Sequence, residues 1–284
     1  MIAIFGGLGA AFLWAAANVT SARSSRLIGA SSTVAWMMLV GMLIAAPLAF
    51  ASGPAPAITP TLAGWLAGSG LGGVIGLLLV YRGLRIGKVG VVTALASTEG
   101  AIAAVLAVIA GERLTLPVVA MLCVIAVGIA IVALASGDAT EEVAAADERR
   151  AVIFGVFAAL AFGVTIYSTA QLGKDMPALM AVLPVRIVGV VGVLIPLALT
   201  GRLQLTRRAV PMVVLIGAAE VFGNASYVVG SGQSIAISAV LASQFAAIAT
   251  VGAFFLFHER LTPGQRAGFV AIALGVAMLT AFRS

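Results

Sequence analysis

The chain has 284 residues, of which 62% are hydrophobic and only 9% are charged. Soluble globular domains carry about 25% charged residues, so this chain has too little charge to cover a water-facing surface. The composition therefore excludes a soluble enzyme or binding module, and its apolar content excludes disorder. We expect a protein of the lipid bilayer. Its net charge of +6 is explained by short loops that face lipid head groups, and no nucleic-acid partner is expected.

Ten apolar segments follow one another along the chain, and each is long enough for a membrane-spanning helix. The first has no basic residues before it, so we interpret it as a helix and not as a cleaved signal peptide. The predicted fold class is an all-α, multi-pass protein of the cell membrane (inner or plasma), with ten transmembrane helices. The predicted limits are 2–20, 31–50, 61–81, 89–110, 115–135, 151–170, 178–200, 210–230, 234–257 and 264–282.

The longest hydrophilic stretch, 136–150, divides these segments into five and five. We interpret it as a solvated linker between two domains, 1–135 and 151–284, and a regulatory loop is the alternative. Five spans are an odd number. The second domain is therefore expected to enter the membrane from the opposite side.

Short sequence matches relate the two halves. Ile4-Phe5-Gly6 and Pro47 recur as Ile153-Phe154-Gly155 and Pro196 at one offset of 149 residues. The tetrapeptide E-R-L-T occurs at 112–115 and again at 259–262. Charged loop residues are scarce here, so the tetrapeptide is the specific match. It predicts two five-helix repeats of inverted topology, a plan in which substrate and ion sites lie near the membrane midplane.

The two E-R-L-T loops follow the fourth and ninth segments, and each leads into a glycine-bearing segment that ends a repeat. In this the chain resembles the EamA-type family of the drug/metabolite transporter superfamily, over 2–282. The resemblance implies two EamA-like repeats, secondary transport, and export of amino-acid-like or other metabolites. The family often has proline about 13 residues before the loop glutamate, where this chain has Glu99 and Ala246.

Three of the charged residues are predicted deep inside spans: Glu99, Arg186 and Glu220. A charge at the bilayer centre costs about 2.5–3.5 kcal/mol on insertion scales, so each is expected to face the bundle interior. Arg186 and Glu220 lie on consecutive segments and can pair, either as a structural salt bridge or as a pair that faces substrate. Glu99 has no charged companion in its own half. It is interpreted as a proton carrier or as a permanently protonated residue.

Polar and aromatic residues accompany these charges. Glu220, Asn224 and Tyr227 share one helical face, and a similar spacing occurs in the first segment. Together they predict a half-polar pocket with aromatic walls, although each residue alone could form an interhelical hydrogen bond. Besides the three charges, the candidate substrate and proton-pathway residues are Asn224, Tyr227, Trp14, Asn18, Tyr167, Ser97, Thr98, Ser243 and Gln244.

Gly68, Gly72 and Gly76 recur at four-residue spacing, which predicts close approach of another helix. They are not a nucleotide motif, since no G-x-x-x-x-G-K-[ST] occurs. The chain has one His and one Cys, so no metal site, cofactor or catalytic residue is expected. The sequence therefore favours a secondary transporter over an intramembrane enzyme or a channel-like pore. The expected partners are a small-molecule substrate, protons and lipid, for a monomer or homodimer.

Membrane orientation has two conflicting indications. Connectors after odd-numbered segments hold eleven Lys and Arg residues, and the opposite connectors and C-terminal end hold three. The positive-inside rule would then put both termini outside the cytoplasm. The family resemblance implies both termini inside. Orientation stays open at this point.

Overall fold

The computed structural model describes residues 1–86, 92, 95–135, 145–249, 251 and 262–283. Within these residues the regular structure is helical and there are no strands. The helices, numbered in chain order, are α1 (Ile2–Ile28), α2 (Ala30–Ala51), α3 (Pro60–Ile86), α4 (Glu99–Ile109), α5 (Leu116–Leu134), α6 (Ala145–Asp175), α7 (Ala178–Leu199), α8 (Val210–Ser231), α9 (Ile235–Ala242) and α10 (Pro263–Arg283).

Six helices in the described part of the chain are long and apolar enough to cross a membrane: α1, α2, α3, α6, α7 and α8. The other four are shorter apolar helices. The chain is thus an all-helical, multi-pass membrane protein, as predicted at this level. Parts of the fourth and ninth predicted segments, at 89–91, 93–94, 250 and 252–257, lie outside the described residues.

Three helices run five or more residues beyond their predicted limits, and one of them is α3, which continues to Ile86. Helix α1 continues to Ile28 and ends where Gly29 takes a positive φ of 80°, a conformation that suits glycine. Helix α6 begins at Ala145, inside the segment predicted as a linker, because Ala, Glu and Arg at 145–150 are strong helix formers. Residues 136–144 of that segment lie outside the described part.

Helix α7 is interrupted. It consists of short α-helical pieces joined by a π-helical turn at Val190–Leu194. Pro196 follows this turn and has no backbone N–H, so it cannot donate to the carbonyl of Gly192 four residues earlier. A wider turn next to such a gap is a common way to keep a helix continuous.

Long-range pairs of helices build the core. Helix α1 packs on α8, α3 on α6, α4 on α9 and α5 on α10. A Cβ atom added to Gly6 of α1 would lie 2.5 Å from the Cα atom of Gly230 in α8. A Cβ at Gly68 would lie 2.5 Å from the Ser168 hydroxyl of α6. The glycine strip of α3 therefore does allow close helix approach, which confirms that prediction.

Candidate functional site

A turn adjoins α4, and another turn adjoins α9. Residues 97–98 form a turn just before α4, and residues 243–244 form a turn just after α9. The Thr98 hydroxyl donates to the Leu95 carbonyl at 2.7 Å, and the Ser243 hydroxyl donates to the Ala239 carbonyl at 3.0 Å. Serine and threonine that bond back to their own helix bend it. The interruptions thus form without the prolines that the family often has.

The two interrupted helices cross at these turns. A Cβ atom at Gly100 would overlap both the Ser243 hydroxyl and the Ala239 carbonyl. Only glycine lets the two backbones come this close. Ser97, Ser243 and Gln244 are all buried at this crossing.

Glu99 is the first residue of α4 and is only 8% exposed. The ion pairs among the described residues do not include it. Glu99 adjoins Gly100 in sequence and therefore lies where α4 crosses α9.

Arg186 and Glu220 form the predicted ion pair. Their Nη2 and Oε2 atoms are 3.4 Å apart, and the side chains are 1% and 22% exposed. Arg186 Nη1 also donates to the sulfur of Met38 at 3.6 Å. Glu220 is thus the accessible partner, while Arg186 is enclosed by protein.

Asn224 and Asn18 bond mainly to their own helices. Asn224 donates to the Glu220 carbonyl at 2.7 Å and to its Oε2 atom at 3.4 Å. Asn18 donates to the carbonyl of Trp14 at 3.0 Å and is exposed. Asn224 therefore helps to hold the Glu220 carboxylate, whereas Asn18 lies on the exposed side of α1.

Two aromatic side chains, Tyr227 and Phe245, pack against a third, Trp14. The Trp14 ring lies 6.3 Å from Tyr227 and 6.1 Å from Phe245, the latter edge-on. Tyr227 is 1% exposed and its hydroxyl donates to the Ile166 carbonyl at 3.2 Å. The pattern of the sequence pointed to Trp14 and Tyr227 but not to Phe245, which looks like any other apolar residue of its segment.

Three buried N–H donors have no hydrogen-bond partner among the described residues: Trp14 Nε1, Arg186 Nε and Gln244 Nε2. An unsatisfied buried donor costs about 1–3 kcal/mol, so such groups call for an explanation. All three belong to the residues predicted to form the site. They are suited to meet hydrogen-bond acceptors of a bound solute.

A polar cavity of about 320 Å³ opens where α4, α6 and α8 end and α9 begins. Tyr167 forms part of its wall, receives a hydrogen bond from the Gln171 amide, and packs edge-on against Trp65 at 5.7 Å. The polar side chains of this cavity include Glu112, Tyr167, Gln171, Lys174, Gln233 and Ser234. Of these, only Tyr167 was among the predicted site residues.

Glu112, from the first E-R-L-T loop, closes one edge of this cavity. Its carboxylate accepts hydrogen bonds from the Ser234 hydroxyl and from the backbone N–H groups of Ile235 (3.1 Å) and Ala236 (3.3 Å). These are the free donors at the start of α9. Glu112 thus caps a helix that lies in the other half of the chain. Glu259, in the second loop, is outside the described residues.

In the described part of the chain, no three His, Cys, Asp or Glu side chains cluster so that they could hold a metal ion. The site is instead made of two acids, one buried arginine, aromatic rings and unpaired N–H donors. Such an arrangement can bind a small polar solute and exchange a proton.

The model of the EamA-like transporter family matches residues 1–134. Residues 1–134 belong to the EamA-like transporter family. This family is part of the drug/metabolite transporter superfamily, so the matched residues, α1 to α5, carry the EamA fold. The resemblance read from the two E-R-L-T loops is thereby confirmed. No curated protein matches the chain.

The whole chain also matches 28 chains of solved structures. One of them, described as "Crystal structure of protein", superposes with a TM-score of 0.78 at 16% sequence identity. The match covers 98% of each chain. At this identity the likeness concerns the fold alone, and it extends through both halves of the molecule.

Proposed function

We propose that this protein is a secondary active transporter that exports a small polar, amino-acid-like metabolite across the cell membrane in exchange for protons, by alternating access. The observation that carries the proposal is the buried acid Glu99, next to Gly100 at the crossing of the two interrupted helices α4 and α9. Intramembrane acids at interrupted helices are a recurring design of substrate and proton sites.

Helix packing supports two inverted repeats, α1–α5 and α6–α10. In two such repeats α1 corresponds to α6, α2 to α7, and so on to α5 and α10. When each helix is replaced by its equivalent, the α1–α8 contact becomes α6–α3, the α1–α9 contact becomes α6–α4, and the α2–α8 contact becomes α7–α3. All of these contacts are present. The α4–α9 and α5–α10 contacts map onto themselves. This exchange is what a pseudo-two-fold axis produces, and an odd number of spans inverts the second repeat.

Backbone hydrogen bonds at the interruptions repeat in the same way. The Thr98 N–H donates to the Leu95 carbonyl, and the Gln244 N–H donates to the Leu241 carbonyl. One turn later the Ile102 N–H donates to the Thr98 carbonyl, as Ile248 does to Gln244. All of these pairs share one offset of 146 residues, which supports equivalent roles for α4 and α9.

Exposure suggests different roles for the charged residues. Glu220 is the more accessible acid of the ion pair and is proposed to meet a substrate amine. Arg186 holds that carboxylate, and its second role is to attract a substrate carboxylate when the pair opens. Glu99, enclosed beside Gln244 and Ser243, is proposed to carry the proton. The donors Trp14 Nε1 and Gln244 Nε2 then provide hydrogen bonds to substrate oxygens.

The test uses the full chain in proteoliposomes with an imposed pH gradient and a panel of radiolabelled amino acids. We expect uptake or release of one or more of them to follow the gradient. In Glu99→Gln, gradient-driven transport should be lost, while exchange of labelled for unlabelled solute continues, because an amide fills the same space but cannot take up a proton.

Asp147→Asn is the matched control, since the Asp147 side chain is 46% exposed and, among the described residues, pairs with Arg150 of its own helix at 3.7 Å. It should leave both assays unchanged. Gradient-driven transport that persists in Glu99→Gln would refute the role of Glu99. The absence of saturable, counter-flow exchange in the unmodified protein, with any solute of the panel, would refute an amino-acid carrier.

A further inference from the structure

A group of arginines lies where α1 turns into α2 and where the connector from α7 reaches α8. Arg26 is in the last turn of α1, and Arg207 and Arg208 lie just before α8. All three are exposed. Ile28, Ala209 and Val213 form one buried cluster with Trp36 packed against it. Arg208 directly precedes Ala209, and Arg26 lies two residues before Ile28. The three arginines thus flank this cluster in sequence, and we call them the arginine patch.

The connector that carries two of these arginines is tied to α2. The Trp36 ring N–H donates to the Gln204 carbonyl at 2.9 Å, and the Gln204 N–H donates to the Ser32 hydroxyl at 3.1 Å. The turn between α1 and α2 is held by a hydrogen bond of 3.1 Å between the hydroxyls of Ser24 and Thr33. These hydrogen bonds hold the segments that carry the arginine patch in a defined arrangement.

Acidic residues are absent from the stretches of sequence that form the arginine patch. The sequence has no Asp or Glu before Glu99 and none between Asp175 and Glu220. Both segments that form the patch lie in these acid-free stretches, and the ion pairs among the described residues do not include its three arginines. We therefore expect an external anion to balance this charge, and the planar guanidinium group is best suited to phosphate.

Exposed apolar side chains adjoin the same arginines. Leu27 is 41% exposed, Leu205 is 43% exposed and Val210 is 41% exposed. A soluble phosphate would gain nothing from these surfaces, whereas the acyl chains of a lipid would cover them. Trp36 at this position is also typical of the membrane–water interface.

We propose that the arginine patch binds the phosphate of an anionic phospholipid, with the acyl chains lying against Leu27, Leu205 and Val210. The patch is separate from the acidic site between α4, α8 and α9. It fixes the end of α1 and the start of α8 to the same lipid, and these two helices pack on each other along the bundle.

The test titrates the full chain in an uncharged detergent with phosphatidylglycerol and, separately, with phosphatidylcholine, and counts bound lipids by native mass spectrometry. An arginine near an anionic lipid contributes about a fivefold gain in affinity. We therefore expect the triple variant Arg26→Gln, Arg207→Gln, Arg208→Gln to bind phosphatidylglycerol about a hundredfold more weakly. Binding of phosphatidylcholine should not change.

The matched control removes three other exposed arginines, with Arg113→Gln, Arg149→Gln and Arg266→Gln. It should keep its phosphatidylglycerol affinity. Equal losses in the two triple variants would overturn the proposal in favour of general charge attraction. Inorganic phosphate that competes the lipid away at equal concentration would overturn it in favour of a soluble anion. If the first triple variant fails to fold, Arg208→Gln alone should still weaken binding about fivefold, and unchanged binding would refute the site.

Discussion

At the scale of single residues, the Arg186–Glu220 pair combines a structural role with an exposed acid. The arginine is 1% exposed and the glutamate 22%. Most of the free-energy cost of removing the pair from water therefore comes from the arginine. Removing one partner of a buried pair leaves the other charge uncompensated, whereas removing both does not. The sequence left two interpretations open, a structural salt bridge and a pair that faces substrate. Both can hold, because Arg186 is enclosed by protein while Glu220 is accessible.

We predict that Glu220→Gln destabilises the protein by about 3 kcal/mol, because it leaves the Arg186 guanidinium buried without a counter-ion. The double variant Arg186→Met, Glu220→Gln should be more stable than Glu220→Gln alone. Unfolding by denaturing detergent, followed by circular dichroism, measures both. Arg202→Gln, an exposed loop variant, is the control. A double variant less stable than the single one would contradict the assignment of Glu220 as the counter-ion.

At the scale of elements, the crossing of α4 and α9 depends on one small residue. Gly100 faces the Ser243 hydroxyl and the Ala239 carbonyl with no room for a Cβ atom. The hydroxyl could rotate away, but the carbonyl belongs to the backbone of α9 and cannot. Any side chain at position 100 must therefore push the two helices apart at the point where both are interrupted.

Gly100→Ala is expected to lower stability by about 1–3 kcal/mol and to lower transport, since the site lies at this crossing. Gly64→Ala is the matched control, because Gly64 lies within α3 and has no atom within 4 Å of its added Cβ. Alanine there should stabilise the helix by about 0.5–1 kcal/mol. Thermal unfolding of the purified proteins measures both changes. Equal effects at positions 64 and 100 would show that helix propensity, not the crossing, decides the result.

At the scale of the whole molecule, the order of the helices determines which loops share a side of the membrane. The connector after α4 and the one after α6 lie at the same end of the bundle, since Glu112 and Lys174 border one cavity. The α7–α8 connector, in contrast, contacts the start of α2 through Gln204. The arginine patch and the polar cavity are therefore expected at opposite membrane surfaces.

Single cysteines introduced into a Cys123→Ser background test this arrangement. Arg113→Cys and Lys174→Cys should react with an impermeant thiol reagent from one side of sealed vesicles, and Arg26→Cys and Arg202→Cys from the other, because α7 crosses the membrane despite its π-helical turn. Labelling of Lys174→Cys and Arg202→Cys from the same side would contradict this topology. The side that carries Arg26 also decides between the two predicted orientations.

Particular residues show how far the sequence could predict the site. Glu99, Arg186 and Glu220 could be found because a charge in an apolar segment is costly and therefore rare. Met38, Phe245 and Gly100 could not, because an apolar or small residue in a membrane segment has no signature until its neighbours are known. Only the structure identified Glu112 as the cap of α9, because Ser234, which it contacts there, is 122 residues away in sequence.

The sequence by itself determined the membrane class, the helical segments and the family, because these follow from apolar length and from a charged tetrapeptide repeated in an almost uncharged chain. The tertiary structure decided which helices meet, where α4 and α9 are interrupted, and which donors stay unpaired. In a bilayer every helix is apolar on most sides, so the segments carry little information about their partners. Close glycine contacts and a few polar groups select those partners, and they act only once the helices are assembled.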